Sequence, residues 1–200
     1  MANCYSLANI DEAISCADLD NLAGVVQEVI YGYWDDVDDF PDLPFPAQNG
    51  DTMNFENAGK WAGDLLMKEG KCAYKLVGTE GSAVLTITDQ GEEGALSVRY
   101  QLDIDRAKMN AVIFGFENAT RGRRLFLIVT DKNGVSYLMG DEHTAARRVA
   151  ADASTTGQRA DSDVNKVSLR FQYDCPRKLV YTGDKTAILT PTAINQQIGD

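Results

Sequence analysis

The chain has 200 residues, of which 44% are hydrophobic and 24% charged, a composition that suits one soluble globular domain able to hold a core without disulfides or metal. Wholesale disorder, a collagen-like repeat and a disulfide scaffold are excluded. The net charge of −11 is uneven: residues 1–100 hold 5 Lys and Arg against 18 Asp and Glu, residues 101–200 hold 14 against 12, so a uniformly basic nucleic-acid grip is excluded too.

The N-terminus, Met1 to Ser6, has neither a basic n-region nor an apolar h-region, so no secretory signal is predicted. No apolar run approaches the ~18 residues of a membrane span. A soluble protein made in the cytoplasm is expected. Asp11 to Leu22 could form a helical turn or two. From Gly24, Val25 to Trp34 is β-branched and aromatic and predicts a strand. It stops at Asp35, Asp36, Asp38 and Asp39, whose carboxylates repel. With Pro41, Pro44 and Pro46 they predict an acidic, proline-rich loop over 35–51. Cys72–Val77 and Ser82–Asp89 read as strands, the second with Ala83, Leu85 and Ile87 on one face and Thr86 and Thr88 on the other. A turn over 90–94 leads to Ala95–Ile104, with Val98, Tyr100, Leu102 and Ile104 inward and Ser97, Arg99, Gln101 and Asp103 outward.

Asp105 then predicts the N-cap of a helix over 106–118, with Met109, Val112, Ile113 and Phe116 on its apolar face, although Ile113, Phe114 and Phe116 would suit a strand too. Arg124–Thr130 is a strand whose apolar run Leu125–Val129 predicts burial. Asp131-Lys132-Asn133-Gly134 is a hairpin turn and Val135–Met139 the return strand. Residues 140–163 read as a long polar loop. Val164–Tyr173 resumes alternation with Val167, Leu169, Phe171 and Tyr173 inward, and Leu179–Tyr181 is a last short strand. The expectation is one mainly β domain over 1–200: an antiparallel β-sandwich or barrel of about eight strands with one flanking α-helix. An N-terminal segment over 1–24 and a C-terminal arm over 182–200 complete it. The predicted core is Val98, Tyr100, Leu102, Ile104, Leu125, Leu127, Val129, Leu169 and Phe171.

Enzyme signatures are missing. There is no G-x-x-x-x-G-K-[ST], no G-x-S-x-G and no H-E-x-x-H. The one histidine, His143, stands beside Asp141 and Glu142 and reads as a solvated loop residue. Cys4, Cys16, Cys72 and Cys175 include no C-x-x-C pair and read as reduced thiols. Asp161-Ser162-Asp163 begins like a calcium loop, but Lys166 and Gln172 stand where its Gly and Glu are needed. Asn118-Ala119-Thr120 is a chance sequon in a chain without a secretory signal. No cofactor and no catalysis are expected.

The arginine groups, Arg121 to Arg124, Arg147 with Arg148, and Arg177 with Lys178, are not interleaved with stacking aromatics. Either they are solvated or they dock on an acidic face of another copy.

One resemblance is carried by the strand ending in Thr130-Asp131-Lys132-Asn133-Gly134, then Tyr137-Leu138-Met139-Gly140, Thr156-Gly157, and Asp163-Val164-Asn165 before Val167–Tyr173. This succession resembles the tail-tube (major tail) and related virion proteins of tailed bacteriophages, with a looser match over residues 60–181. The resemblance implies a β-sandwich or barrel flanked by a helix. Copies would form a hexameric ring whose sheets join around a channel, and rings would stack into a tube that passes the genome. The partners implied are further copies, other tail proteins, and viral DNA that passes without specific binding; no membrane is involved. The place implied is the virion tail, assembled in the host cytoplasm. On this reading carboxylates lining a channel would keep DNA from sticking, and Asp35, Asp36, Asp38 and Asp39 of one ring are expected to meet Arg147 and Arg148 of the next. A tail adaptor or terminator is an alternative. So is a β-sandwich binding module for carbohydrate or protein, using Tyr31, Tyr33, Trp34 and Trp61.

Overall fold

The computed structural model describes residues 22–45, 53–92, 95–152, 154–157 and 165–191. One antiparallel sheet has the order β4-β1-β7-β8, from Tyr74–Val77, Glu28–Tyr33, Leu125–Thr130 and Ser136–Met139. A second has the order β5-β6-β10-β9, from Val84–Gln90, Ser97–Ala107, Lys166–Cys175 and Arg147–Val149. A small pair joins β2 (Val37–Asp39) to β3 (Leu66–Met67). Helices α1 (Phe55–Ala58) and α2 (Ala111–Thr120) complete the fold. The two large sheets share one core and do not close into a barrel. The chain is therefore mainly β and sandwich-like.

Period-2 alternation explains the second sheet. In β6 every second residue from Val98 to Ile104 is buried, and in β10 the same holds from Val167 to Tyr173. Their register sets Leu102 opposite Phe171 and Ile104 opposite Leu169. All nine predicted core residues are buried. β7 lies between β1 and β8, and Leu125 to Val129 are buried without a break. β1 approaches it so closely that a Cβ on Gly32 would stand 2.5 Å from the Phe126 ring. Only glycine fits there.

The hairpin over 131–134 forms as the sequence predicts. The Asp131 carboxylate accepts from the N–H groups of Asn133 and Val135, both at 2.9 Å, and Gly134 takes a φ of 88°.

The helix is displaced from its expected place. β6 runs on to Ala107 because β10 pairs with it as far as Lys166. Asp105 is a strand residue, not a cap, and its carboxylate accepts from Lys166 and Ser168. Lys108, at a φ of 69°, ends the strand. Asn110 is the cap, its side chain accepting from the Ile113 N–H at 3.0 Å. Of the predicted apolar face, Ile113 is buried and Phe116 half-buried, Met109 precedes the helix, and Val112 points to solvent.

The first part of the expected acidic, proline-rich loop is regular structure. Trp34–Asp36 is a 3-10 turn and Val37 anchors β2 against Met67. One buried apolar residue suffices for a short strand while its neighbouring carboxylates face water. Pro46 lies outside the described residues. In the predicted long loop, β9 pairs with β10, and Ala146 bridges to Leu125; residues 153 and 158–163 lie outside the description, as does most of the calcium-like stretch. Leu179–Tyr181 forms only isolated bridges, to Lys60 and Ser136. Residues 182–191 are no arm. Ile188 is buried, its carbonyl accepts from the Ala73 N–H at 2.7 Å, and Lys185 Nζ donates to Ser136 Oγ at 2.8 Å. Residues 1–21 and 192–200, with Cys4 and Cys16, lie outside the described residues; Cys72 and Cys175 are free thiols.

The core carries a pH-dependent term. Burial, opposed by the Leu179 backbone and aided by Cys175 and Tyr137, lifts the Tyr100 phenol from 10.0 to about 12. Burial likewise raises Tyr173, whose hydroxyl donates to Asp141 Oδ2 at 2.6 Å. Above pH 10.0 the unfolded chain releases the Tyr100 proton and the folded chain keeps it. This part of the stability is therefore full below that pH and is lost as the pH rises through the folded value. For Tyr100 it amounts to about 2–3 kcal/mol. The urea midpoint should hold between neutrality and about pH 9 and then fall, less steeply in Tyr100→Phe. An alkaline limb of unchanged slope in that variant would remove Tyr100 from the account.

Candidate functional site

The second sheet turns one face to the core and the other to water. β6 and β10 are antiparallel, so the wet residues of β6 read forward meet those of β10 read backward. Arg99 lies opposite Asp174, Gln101 opposite Gln172, and Asp103 opposite Arg170; at the end of the ladder Asp105 lies opposite Ser168, which is buried. Each pair is chemically matched. Arg99 grips Asp174 in two bonds, Nε to Oδ1 at 2.7 Å and Nη2 to Oδ2 at 3.0 Å. Gln172 Nε2 donates to Gln101 Oε1 at 2.8 Å, and Gln101 Nε2 donates to Asp103 Oδ2 at 2.7 Å. Arg170 Nε bonds Asp103, and its Nη2 stands 3.7 Å from Asp152. Ser168 Oγ and Lys166 Nζ donate to the two oxygens of Asp105, each at 2.6 Å.

The electrostatics follow from that geometry. Burial works to raise the Asp105 carboxyl, but the bonds from Lys166 and Ser168 and the Lys166 charge outweigh it and leave it lowered. The bond to Asp105 raises Lys166; the bonds to Asp174 and Asp103 raise Arg99 and Arg170. On this face of the two central strands three cations, Arg99, Lys166 and Arg170, and three carboxylates, Asp103, Asp105 and Asp174, neutralise one another; the fourth cation of these strands, Arg106, lies opposite Val167 on the other face. A duplex phosphate arriving here would find every one of those cations already held by a carboxylate.

Among the described residues β5 makes backbone pairs only with β6, and β9 only with β10. Unpaired edges are templates for further pairing.

The six residues expected to join ring to ring are placed as follows. Asp35 pairs with Arg124, whose guanidinium also lies 4.1 Å from the Trp34 ring centroid. Asp36 pairs with Lys71 at 3.1 Å. Asp38 and Asp39 are exposed on β2 and Arg147 is exposed on β9. Arg148 turns inward, donating to Glu117 Oε1 at 2.9 Å and to the Glu117 carbonyl at 3.0 Å. No ion pair among the described residues joins the acidic turn to either arginine. The structure thus gives Arg148 a partner within its own chain and leaves Asp38, Asp39 and Arg147 facing solvent.

The four aromatic residues of the binding-module alternative do not form one platform. Trp34 stacks on Phe40 and donates to the Asp141 carbonyl at 2.7 Å. Trp61 is buried beside a cleft of about 650 Å³ lined also by Lys60, Phe45, Glu142 and His143. Tyr31 and Tyr33 line a separate groove of about 360 Å³ with Tyr74 and Phe116. His143 is exposed and reaches Asp141 through its backbone N–H. No group of three His, Cys, Asp or Glu among the described residues could hold a metal ion, and no described helix is long and apolar enough to cross a membrane.

No protein-family model matches the chain, and neither a curated protein nor a solved structure matches it.

Proposed function

We propose that the chain is a virion structural protein, a tail-tube subunit whose copies join edge to edge around a channel. The observation that carries this reading is an even-stranded antiparallel sheet whose two edge strands have no further backbone partner among the described residues. With four alternating strands, β5 and β9 run in opposite directions. A copy placed head to tail therefore meets β9 with its own β5 antiparallel, and every junction repeats the one before. A repeated head-to-tail contact closes into a ring when its rotation closes. The core face of this sheet is covered by the other sheet, so the wet ladder would line the lumen.

This differs from the carboxylate lining that the resemblance implies. Phosphate binding needs free Lys or Arg, and the central ladder offers none that a carboxylate does not already hold. DNA would pass a wet wall whose two central strands neutralise their own charge, with Arg147 of β9 the one exposed cation beside them that no described carboxylate holds. The resemblance to tail-tube proteins points the same way.

Size separation with negative-stain imaging of the full chain tests the reading. Rings that stack into tubes are expected. Rings that never stack would assign the chain to an adaptor or terminator, and a 21.9 kDa monomer at every concentration and salt would contradict the proposal.

A further inference from the structure

We infer that, in such a ring, the outer face of α2 is seated in a groove on the opposite flank of the next copy. This rests on the tube reading and adds the contact that would seal the junction. Helix α2 closes one flank of the sandwich. Its Phe116 packs edge-on against Tyr31 of the first sheet, centroids 5.2 Å apart, and against Phe171 of the second, 6.5 Å apart. Its Glu117 holds Arg148 of β9. The helix buries only Ile113 and Thr120. Its exposed residues are Ala111, Val112, Phe114, Gly115, Asn118 and Ala119, and none is charged. Val112 is 73% exposed and Phe114 40%. A helix meant to face water carries charge on that side; depletion of charge with aromatic residues present is the composition of an interface core.

The other flank is complementary. Between β5 and β8 runs a groove of about 280 Å³ with Leu22, Val25, Val84, Leu85, Ile87 and Tyr137 as its apolar walls and Asp131 and Asn133 of the hairpin turn at its polar end. Leu22 and Val84 are more than half exposed. The helix spans the layer between the two sheets at the β4 and β9 edges, and the groove spans the same layer at the β5 and β8 edges. Joining β9 to β5 of the next copy therefore brings the helix face opposite the groove. The occupant follows from the sheet topology: a second copy, related head to tail.

Cysteine pairing tests this in the full chain. A Val112→Cys, Val84→Cys double variant treated with a short bismaleimide should give a ladder of covalent multimers extending beyond the dimer. The wild type and each single variant, which report on the native thiols, should not. A Val112→Asp variant should keep the monomer's circular dichroism and melting profile and lose the ring peak. Rings without a ladder would overturn the helix contact and leave the tube reading standing. Val112→Cys dimers alone would show helix meeting helix about a two-fold axis, which overturns it too. A wild type that forms no ring would remove the tube reading, and this inference with it.

Discussion

A Thr86→Lys, Thr88→Lys double variant is expected to fold as a monomer and to form neither rings nor tubes. Both threonines are exposed on the wet side of β5, the seven-residue edge that would receive the next copy. Lysines on an edge strand are a device by which proteins prevent further pairing. Here they would also meet Arg147, exposed on β9 of the adjoining copy, and like charges placed opposite one another across strands destabilise the pair. Neither threonine side chain reaches the core, but Thr88 lies opposite Arg99 within the chain, so the midpoint of urea unfolding should fall only by the roughly 0.2–1 kcal/mol that a like-charged cross-strand pair costs. The Thr86→Val, Thr88→Val variant keeps the strand uncharged and should assemble. Tubes formed by the lysine variant at wild-type yield would show that β5 is not the junction.

Phe171→Ala is expected to cost about 3–5 kcal/mol of folding stability. Its side chain is 1% exposed, lies opposite Leu102, and supports Phe116 of α2. Truncation leaves a cavity where three elements meet, and the cost depends on how far they relax into it. For the same reason Leu102→Ala should cost about 2–5 kcal/mol. Denaturant unfolding reads both. A change near zero at Phe171 would mean that the sheets are not joined through this residue. The two variants separate the levels of the argument: the first acts between copies, the second within one.

The parts of the fold legible in the sequence were those where periodicity and burial coincide. Val98 to Ile104 and Val167 to Tyr173 announce their inward faces because each strand has one wet side. Asp131 to Gly134 announces its turn because Asp and Gly have few other uses between two apolar runs. The helix start was misplaced because Asp105 and Asn110 are both good caps. Only the pairing of Asp105 with Ser168 across the sheet decides between them, and such a pairing is long-range. β2 and β9 were missed because three residues give no period, and because Asp38, Asp39 and Arg147 look like solvated loop.

The wet ladder was half visible. Alternation sets Arg99, Gln101 and Asp103 outward, but what they face depends on register. A clue was there: Arg99-x-Gln101-x-Asp103 read forward matches Asp174-x-Gln172-x-Arg170 read backward, cation to anion and amide to amide. Arg148 misled for a related reason. Adjacent residues of a strand point to opposite faces, so Arg147 and Arg148 could never act as one patch.

A cryo-electron microscopy reconstruction of the assembled chain, at a resolution that separates strands, tests the central claim most directly. The predicted result is a continuous antiparallel sheet around a lumen, β5 of each copy beside β9 of the next, with Arg99, Gln101, Asp103, Arg170 and Gln172 facing the channel. A particle whose lumen is lined by the β4-β1-β7-β8 sheet, or whose copies meet with β5 and β9 both left open, would contradict it.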